Sequence, residues 1–316
     1  MTKNVLTYNP RNPSEFPNWK FEHFDVEYDA ESQSVWMNYK ASSPPYYQLQ
    51  TLTDMADVRE SLRGLFEAGA TEVWPIRYFV HGSNRIGVFN LGGDLATFSA
   101  AIRNHDRDTL LHYAYACIDV IYGLASSFEL PIVTVSAVHG QCLAGGFESA
   151  LTADFIIAEN GAKLGVPEVA FNTFPGMGAV TLLTRRLGTA QAHEIISDGK
   201  VYSGAEMYEL GAVDVLAPDG CIREQTKSWM LEGGKERWSR RRALAEARRR
   251  FFPVTYEELI RITELWTDCS YAIAEQDIRH MERLVSAQKR MSSRSAGAPL
   301  EQPTTGAKKR ELSSHG

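Results

Sequence analysis

The segment HGQCLAGGFESALTADFIIAENGAKLGVPEVAFNTFPGMG, His139 to Gly178, decides how this chain reads. Its glycine-rich start, Gly140 to Gly146, forms a turn that leads into a helix, with Glu148 just inside that helix. The first turn of a helix leaves N–H groups unpaired and carries the positive end of the helix dipole, so it suits a developing oxyanion. A second carboxylate, Glu168, follows in LGVPE after a pair of short strands, and the turn Phe174–Gly178 closes the block. Two carboxylates beside such a hole can share a proton or place a water. The pattern predicts chemistry at the carbon next to a carbonyl, most simply that of a thioester.

Working outward, Leu130–Val138 is rich in β-branched residues and predicts a buried strand that feeds the turn. Phe155–Ala158 and Lys163–Gly165 predict short strands after it. Toward the N-terminus, Phe21–Tyr28 and Ser34–Tyr39 alternate apolar and polar residues around a turn. Met55, Val58, Leu62 and Leu65 are spaced for a helix over Thr51–Ala68, and strands follow at Arg77–His81 and Ile86–Phe89. Either Asp106 or Asp108 is placed to cap a helix running to Ser126. Downstream, helices are predicted at about Ala179–Leu187, Ala190–Ser197 and Ala205–Leu210, with a last strand at Ala212–Leu216. Strand, turn and helix in repetition imply an α/β fold with a mostly parallel sheet. The organisation expected is an N-terminal arm over residues 1–19, a core over 20–220, a helical region over 221–290 and a disordered tail over 291–316. Within the helical region, Leu259, Ile262, Trp266, Cys269, Ile273 and Leu284 fall close to one helical stripe.

The chain has 316 residues, 44% hydrophobic and 23% charged, enough for a large core. A net charge of −6 gives no bulk attraction to nucleic acid or to an anionic membrane. No apolar run approaches the roughly 20 residues that span a bilayer, and the first residues lack the apolar core of a secretory signal. Cys117, Cys142, Cys221 and Cys269 show no CxxC spacing, so reduced thiols and a cytoplasmic location are expected. His81, His112, His193 and His280 show no metal-ligand spacing, and no metal or redox cofactor is expected. His139 reads as a turn former, and Gln141 and Cys142 as lining or packing residues. A Cys142 nucleophile needs a nearby histidine, for which His139 is a weak candidate.

A second glycine turn, Phe89-Asn90-Leu91-Gly92-Gly93-Asp94, also joins a strand to a helix. Two N–H donors from different turns make a two-pronged oxyanion hole, whereas one such turn alone usually serves packing. Neither turn has phosphate-loop spacing. With NLGGD (Asn90–Asp94), AVHGQCLAGGFE (Ala137–Glu148), ADFIIAENGAKLGVPE (Ala153–Glu168) and FPGMG (Phe174–Gly178), residues 20–250 resemble the crotonase (enoyl-CoA hydratase/isomerase) superfamily. The resemblance implies a spiral of ββα units, two roughly perpendicular sheets, a C-terminal helical region and a homo-oligomer, trimer or hexamer. It places the oxyanion donors on Gly93 and Gly145, the catalytic glutamates on Glu148 and Glu168, and a water-holding glycine on Gly176. Leu91, Phe147, Phe171 and Met177 are expected to contact substrate.

A narrower resemblance rests on FNLGGDL (Phe89–Leu95), RDTLLHYAYACIDVIYG (Arg107–Gly123), GGFESAL (Gly145–Leu151) and PEVAFNTFPGMGA (Pro167–Ala179). These segments look like diffusible signal factor synthases. That likeness implies dehydration of a 3-hydroxyacyl chain on acyl carrier protein to a cis-2-enoyl chain. It further implies thioester cleavage to the free acid, and a sensor kinase as regulator. Two departures from common hydratases are Phe147, where a small residue or cysteine usually precedes the first glutamate, and Ala144, in place of the first glycine of a GGG run. Two alternatives stand beside this reading: a hydratase or isomerase acting on coenzyme A thioesters, and a non-catalytic protein that holds an acyl chain or a regulator. The basic run KERWSRRRALAEARRR (Lys235–Arg250) reads as a solvated helix face or, through Arg240, Arg241 and Arg242, as a docking patch. Its partner would be an acidic carrier protein or the phosphates of coenzyme A.

Overall fold

Strand pairs, each followed by helix, organise the chain; a computed structural model describes them over residues 16–294. The first unit is β1 (Phe24–Asp29), β2 (Ser34–Tyr39) and α1 (Leu49–Glu67). Next come β3 (Tyr78–Ser83) and β4 (Val88–Asn90) with α2 (Leu95–Arg103) and α3 (Arg107–Ala125). β5 (Val133–Val138) and β6 (Gln141–Leu143) lead into α4 (Gly145–Leu151). β7 (Phe155–Glu159) and β8 (Lys163–Gly165) lead through a 3-10 turn, Pro167–Phe171, to α5 (Ala179–Leu187) and α6 (Thr189–Asp198). β9 (Tyr202–Ser203), α7 (Gly204–Glu209) and β10 (Val215–Ala217) complete the core. The C-terminal region holds α8 (Ile222–Leu231), α9 (Gly234–Phe251), α10 (Tyr256–Ser270) and α11 (Glu275–Arg294).

The strands sort into a six-stranded sheet, β1-β2-β3-β5-β7-β10, and a four-stranded sheet, β4-β6-β8-β9. In the middle units the first strand joins the large sheet and the second joins the small one. Each repeat therefore advances both sheets by one strand, which is the ββα spiral. The β3, β5 and β7 pairings are parallel, as are those of β4, β6 and β8; β1–β2 and β8–β9 are antiparallel. All six residues of β5 are buried. Val133, Val135 and Ala137 join Trp36, Tyr78, Ile157 and Trp229 on one side, while Val138 joins the larger core on the other. Thr134 and Ser136 are buried in the same strand, and the Thr134 N–H and Oγ1 bond the Asp154 carboxylate.

Helix starts follow side-chain chemistry. Asp94 accepts the Ala96 and Thr97 N–H groups to cap α2. Asp106 accepts the Thr109 N–H to cap α3, which leaves Asp108 inside the first turn. Two strands escape sequence reading: β6, which lies inside the glycine-rich turn, and β9, which is two residues long. The stripe expected from Leu259 to Leu284 is not one helix: α10 ends at Ser270 and α11 starts at Glu275, so Leu284 lies on a different element from Leu259 and Trp266. Phe16 stacks on Tyr28 at 5.1 Å and Trp19 packs edge-on to Phe21 at 6.5 Å, so residues 16–19 cover the core; the rest of the proposed arm lies outside the described residues. Residues 291–294 continue α11, and the remainder of the proposed tail also lies outside them. Among the described residues no helix is long and apolar enough to cross a membrane.

Candidate active site

The first glycine turn is built by its neighbours. Asn90, the last residue of β4, accepts the Gly92 N–H through Oδ1 at 2.7 Å. Gly92 has φ +90°, and a Cβ there would lie 2.6 Å from the Ala144 Cβ, so only glycine fits. The Tyr47 N–H donates to the Gly92 carbonyl at 2.8 Å. The Asp94 N–H donates to the Tyr113 hydroxyl at 3.1 Å, and that hydroxyl donates to the Tyr47 carbonyl. Every neighbour of the Gly93 N–H is therefore engaged, while the N–H itself has no acceptor among the described residues.

The second turn passes from β6 to α4 through Ala144, at φ +53° and ψ −132°. An L-residue rarely holds that conformation, which costs on the order of 1–3 kcal/mol and marks a constrained site. Gly145 follows as the first helical residue, and its N–H also lacks an acceptor among the described residues. The Ala144 carbonyl accepts from the Phe147 and Glu148 N–H groups at 2.9 and 3.0 Å. Both donor peptides, Gly92–Gly93 and Ala144–Gly145, thus have their carbonyls hydrogen-bonded, which polarises the N–H at the other end. A Cβ placed on Gly145 would lie 3.6 Å from the Gly93 N and 3.7 Å from Glu148 Oε2. Two free N–H groups and a carboxylate oxygen therefore surround one small volume. Tyr47 ties the turns together, since its hydroxyl donates to Ser149 Oγ of α4 at 2.6 Å.

Glu148 is buried, and its Oε1 accepts the Met177 and Ala179 N–H groups, both at 3.0 Å. Burial outweighs those two donors and pushes its carboxyl up to about 7. Glu168 lies on the 3-10 turn; the residue is half-buried, but its Oε2 is enclosed without a hydrogen-bond partner among the described residues. Burial and then the charge of Glu148 hold its carboxyl well above the usual carboxylate range. Near neutrality the pair therefore presents one acid and one base to the same cavity. In the unfolded chain both ionise near 4.5, so above that pH the folded state binds more protons and stability falls as pH rises. Glu168→Gln, which cannot ionise, should be more stable than wild type by about 1–3 kcal/mol at about pH 8, with the gain vanishing below about pH 4.5. Urea unfolding at both pH values checks this; equal stability at the higher pH would mean that the carboxyl is well solvated.

A cavity of about 220 Å³ opens over these groups. It is lined by Gly93, Gly145, Glu148, Glu168 and Gly176 together with Leu91, Phe171 and Met177, eight of the nine residues expected to form the oxyanion hole, carry catalysis, hold water or contact substrate. Phe147 does not line it and is fully buried in the core. About 100° around α4 from Glu148, the Phe147 side chain packs into the core instead. Gln141 lines it as well, and Trp266, Met281, Leu284 and Gln288 add to the wall. Of these C-terminal residues, the stripe from Leu259 to Leu284 includes Trp266 and Leu284; nothing local in the sequence marks Met281 or Gln288.

Gly176 has a packing reason to be glycine. A Cβ there would lie 2.2 Å from Trp266 Cγ, and its carbonyl accepts from the Thr263 hydroxyl at 2.7 Å. Gly176→Ala should cost about 1–3 kcal/mol of stability, read from the urea midpoint. An unchanged midpoint would mean that α10 sits further from the turn.

Other candidates fall away. Cys142 is fully buried on β6, and burial raises its thiol well above the ordinary value, while His139 Nε2 is 2.9 Å from the Ser83 carbonyl oxygen, so they form no nucleophile pair. Arg241 is not a docking residue: it is buried, donates to the Trp229 carbonyl at 2.9 Å and the Tyr78 hydroxyl at 3.2 Å, and lies over the Trp229 ring. Arg248 and Arg249 likewise anchor α9, to the Asp154 carbonyl and carboxylate. The run is thus partly structural, with Arg240 exposed and Arg242 beside Trp238. Among the described residues no group of three or more His, Cys, Asp or Glu side chains is placed to hold a metal ion.

This geometry has relatives. A protein of Bacillus subtilis (strain 168) described as "Probable enoyl-CoA hydratase" is 33% identical over 162 residues, 51% of this chain and 60% of that protein. The fatty acid oxidation complex subunit alpha of Pseudomonas putida (strain GB-1) is 34% identical over 133 residues, 42% of this chain and 18% of that one. The matches thus span less than two thirds of either relative. In fold, the chain is similar to the enoyl-CoA hydratase from Bacillus halodurans, with TM-score 0.65, 18% identity and coverage of 84% of this chain and 100% of that one. It is also similar to human mitochondrial delta3-delta2-enoyl-CoA isomerase, with TM-score 0.64, 20% identity and coverage of 85% and 99%. The Enoyl-CoA hydratase/isomerase family profile matches residues 82–281, across both glycine turns, both glutamates and the start of α11, and the chain belongs to that family.

Proposed function

We propose that this protein adds or removes water, or shifts a double bond, next to the carbonyl of an acyl thioester, with coenzyme A as the handle. The observation that carries this reading is the single small volume bounded by the Gly93 and Gly145 N–H groups and Glu148 Oε2, with the unpartnered Glu168 Oε2 lining the same cavity. The thioester oxygen is received by the two N–H groups. Loss of a C2 proton builds enolate charge on that oxygen, where polarised donors act most strongly. Glu148, eased toward ionisation by two N–H bonds, takes the C2 proton. Glu168, held protonated, gives its proton to the departing C3 hydroxyl. The reverse sequence hydrates an enoyl thioester. No step needs a group that the chain does not carry. Purified protein should hydrate trans-2-enoyl-CoA, read as loss of the conjugated thioester absorbance. No turnover on any enoyl- or 3-hydroxyacyl thioester would overturn the reading.

We further propose a finer form of the same chemistry: dehydration of a 3-hydroxyacyl chain on acyl carrier protein, followed by hydrolysis to a free cis-2-unsaturated acid of the diffusible signal factor type. Its support is the RDTLLHYAYACIDVIYG segment, which forms α3 and supplies Tyr113 to the oxyanion turn. A water placed between the two carboxylates would attack the thioester carbon in the second step. A homo-oligomer and a sensor-kinase regulator belong to this proposal. Mass spectrometry of free fatty acids, from a host that lacks such an enzyme, separates the two forms. Release of a cis-2-enoic acid supports the finer one, and hydration of enoyl-CoA without free acid leaves the broader one.

A further inference from the structure

We propose that Gln288, on the C-terminal helix, is a positioning residue for the oxyanion hole; the proposal rests on the thioester reading above. Gln288 is buried, and its Nε2 donates to the Gly93 carbonyl at 3.1 Å. The rest of the turn is fixed from inside the core, by Asn90, Tyr47 and Tyr113. The Gly93 carbonyl is held from outside, by the element that closes the cavity. α11 contributes Met281, Leu284, Ala287, Gln288 and Met291 to the cavity wall. It is also fastened to the other half of the site. The Asn172 amide, directly after the Glu168 turn, donates to Asp277 Oδ2 at 2.9 Å, while on the donor-turn side Arg103 of α2 bonds Glu282 at 2.6 Å and Glu275 at 3.0 Å.

One helix therefore touches both the donor turn and the acid turn. Glycine at position 93 has the widest backbone freedom of any residue, so the direction of its N–H depends on how its two peptides are held. Gln288 supplies the hold that a substrate must find in place, because the same helix lies over the bound chain. Small misplacements of a catalytic donor are costly, so the effect is on turnover rather than on capture of substrate.

The test uses the full-length protein and acetoacetyl-coenzyme A, a 3-oxoacyl thioester that ionises to an enolate with its own ultraviolet absorbance when its carbonyl oxygen is stabilised. Gln288→Met keeps length and loses the donor. It should lower the bound enolate fraction and kcat roughly tenfold, with KM within about twofold. Gln288→Glu adds a second readout. The introduced carboxyl donates to the Gly93 carbonyl only while protonated, so activity relative to wild type should be highest at low pH and fall as that carboxyl ionises. Circular dichroism confirms that both variants fold. An unchanged enolate signal in Gln288→Met, or a rise in KM alone, would overturn the proposal and leave Gln288 as wall. Absence of the enolate signal in wild type would instead overturn the oxyanion-hole reading on which it rests.

Discussion

Glu148→Gln and Glu168→Gln should each fold and each lose most turnover, about 10²–10⁴-fold, the usual contribution of a general acid or base. The first change keeps an oxygen that can accept the Met177 and Ala179 N–H groups, so the loop that closes over α4 keeps its anchor. What disappears is the carboxylate oxygen beside the hole, Oε2, to which the C2 proton is assigned. The second change removes a carboxyl that burial and Glu148 keep protonated. Because the two groups titrate together, the double variant should be little worse than either single one. Wild-type kcat/KM should rise with pH as Glu148 ionises near about 7 and fall again as Glu168 ionises at higher pH. In each variant the limb belonging to the replaced group should vanish. The measurement is kcat/KM on the thioester across pH for purified proteins. Activity within a few-fold of wild type in either variant would sink the two-carboxylate mechanism.

The parts of this molecule that show in sequence are those with local causes. Val133–Val138 is rich in β-branched residues, as a buried strand requires, and Asp94 and Asp106 precede helices because their oxygens cap them. Both glycine turns and both glutamates are legible because close approach and charge each leave one residue type standing. Other features depend on chain that arrives from far away. Gly176 reads in sequence as a water-holding glycine, and its packing reason, Trp266 on α10, shows only in the fold. Phe147 sits beside Glu148 in sequence and yet points into the core, because helix rotation separates neighbours that a one-dimensional reading keeps together. Arg241 lies in a basic run but spends its charge on Trp229 and Tyr78, which are 12 and 163 residues away. Tyr47 and Gln288 carry no motif. Their roles come from bonds to Ser149 and Gly93 across 102 and 195 residues.

Gly145→Ala should fold normally and lose at least about 10²-fold in turnover, the scale of losing one oxyanion donor. The backbone at 145 is not left-handed, and the added methyl would meet only ordinary contacts, 3.4 Å to Gly92 Cα and 3.6 Å to the Gly93 N. Those contacts are the reason for the loss. The methyl would stand between the two donors and 3.7 Å from Glu148 Oε2, where the thioester oxygen has to sit. The matching change at Gly93 is a poorer probe, because a Cβ there would lie 2.6 Å from Phe98 Cζ and disturb packing as well as the hole. Gly145→Pro deletes the N–H itself. Proline is accepted at a first helical position, but Ala144 already holds φ +53°, which a following proline opposes. That variant therefore needs a native circular dichroism spectrum before its rate means anything. The pair separates two causes: the alanine variant blocks the hole with the donor still present, and the proline variant removes the donor. If both fold and both fall together, the hole lies between Gly93 and Gly145. A folded G145A with near-normal turnover would place it elsewhere.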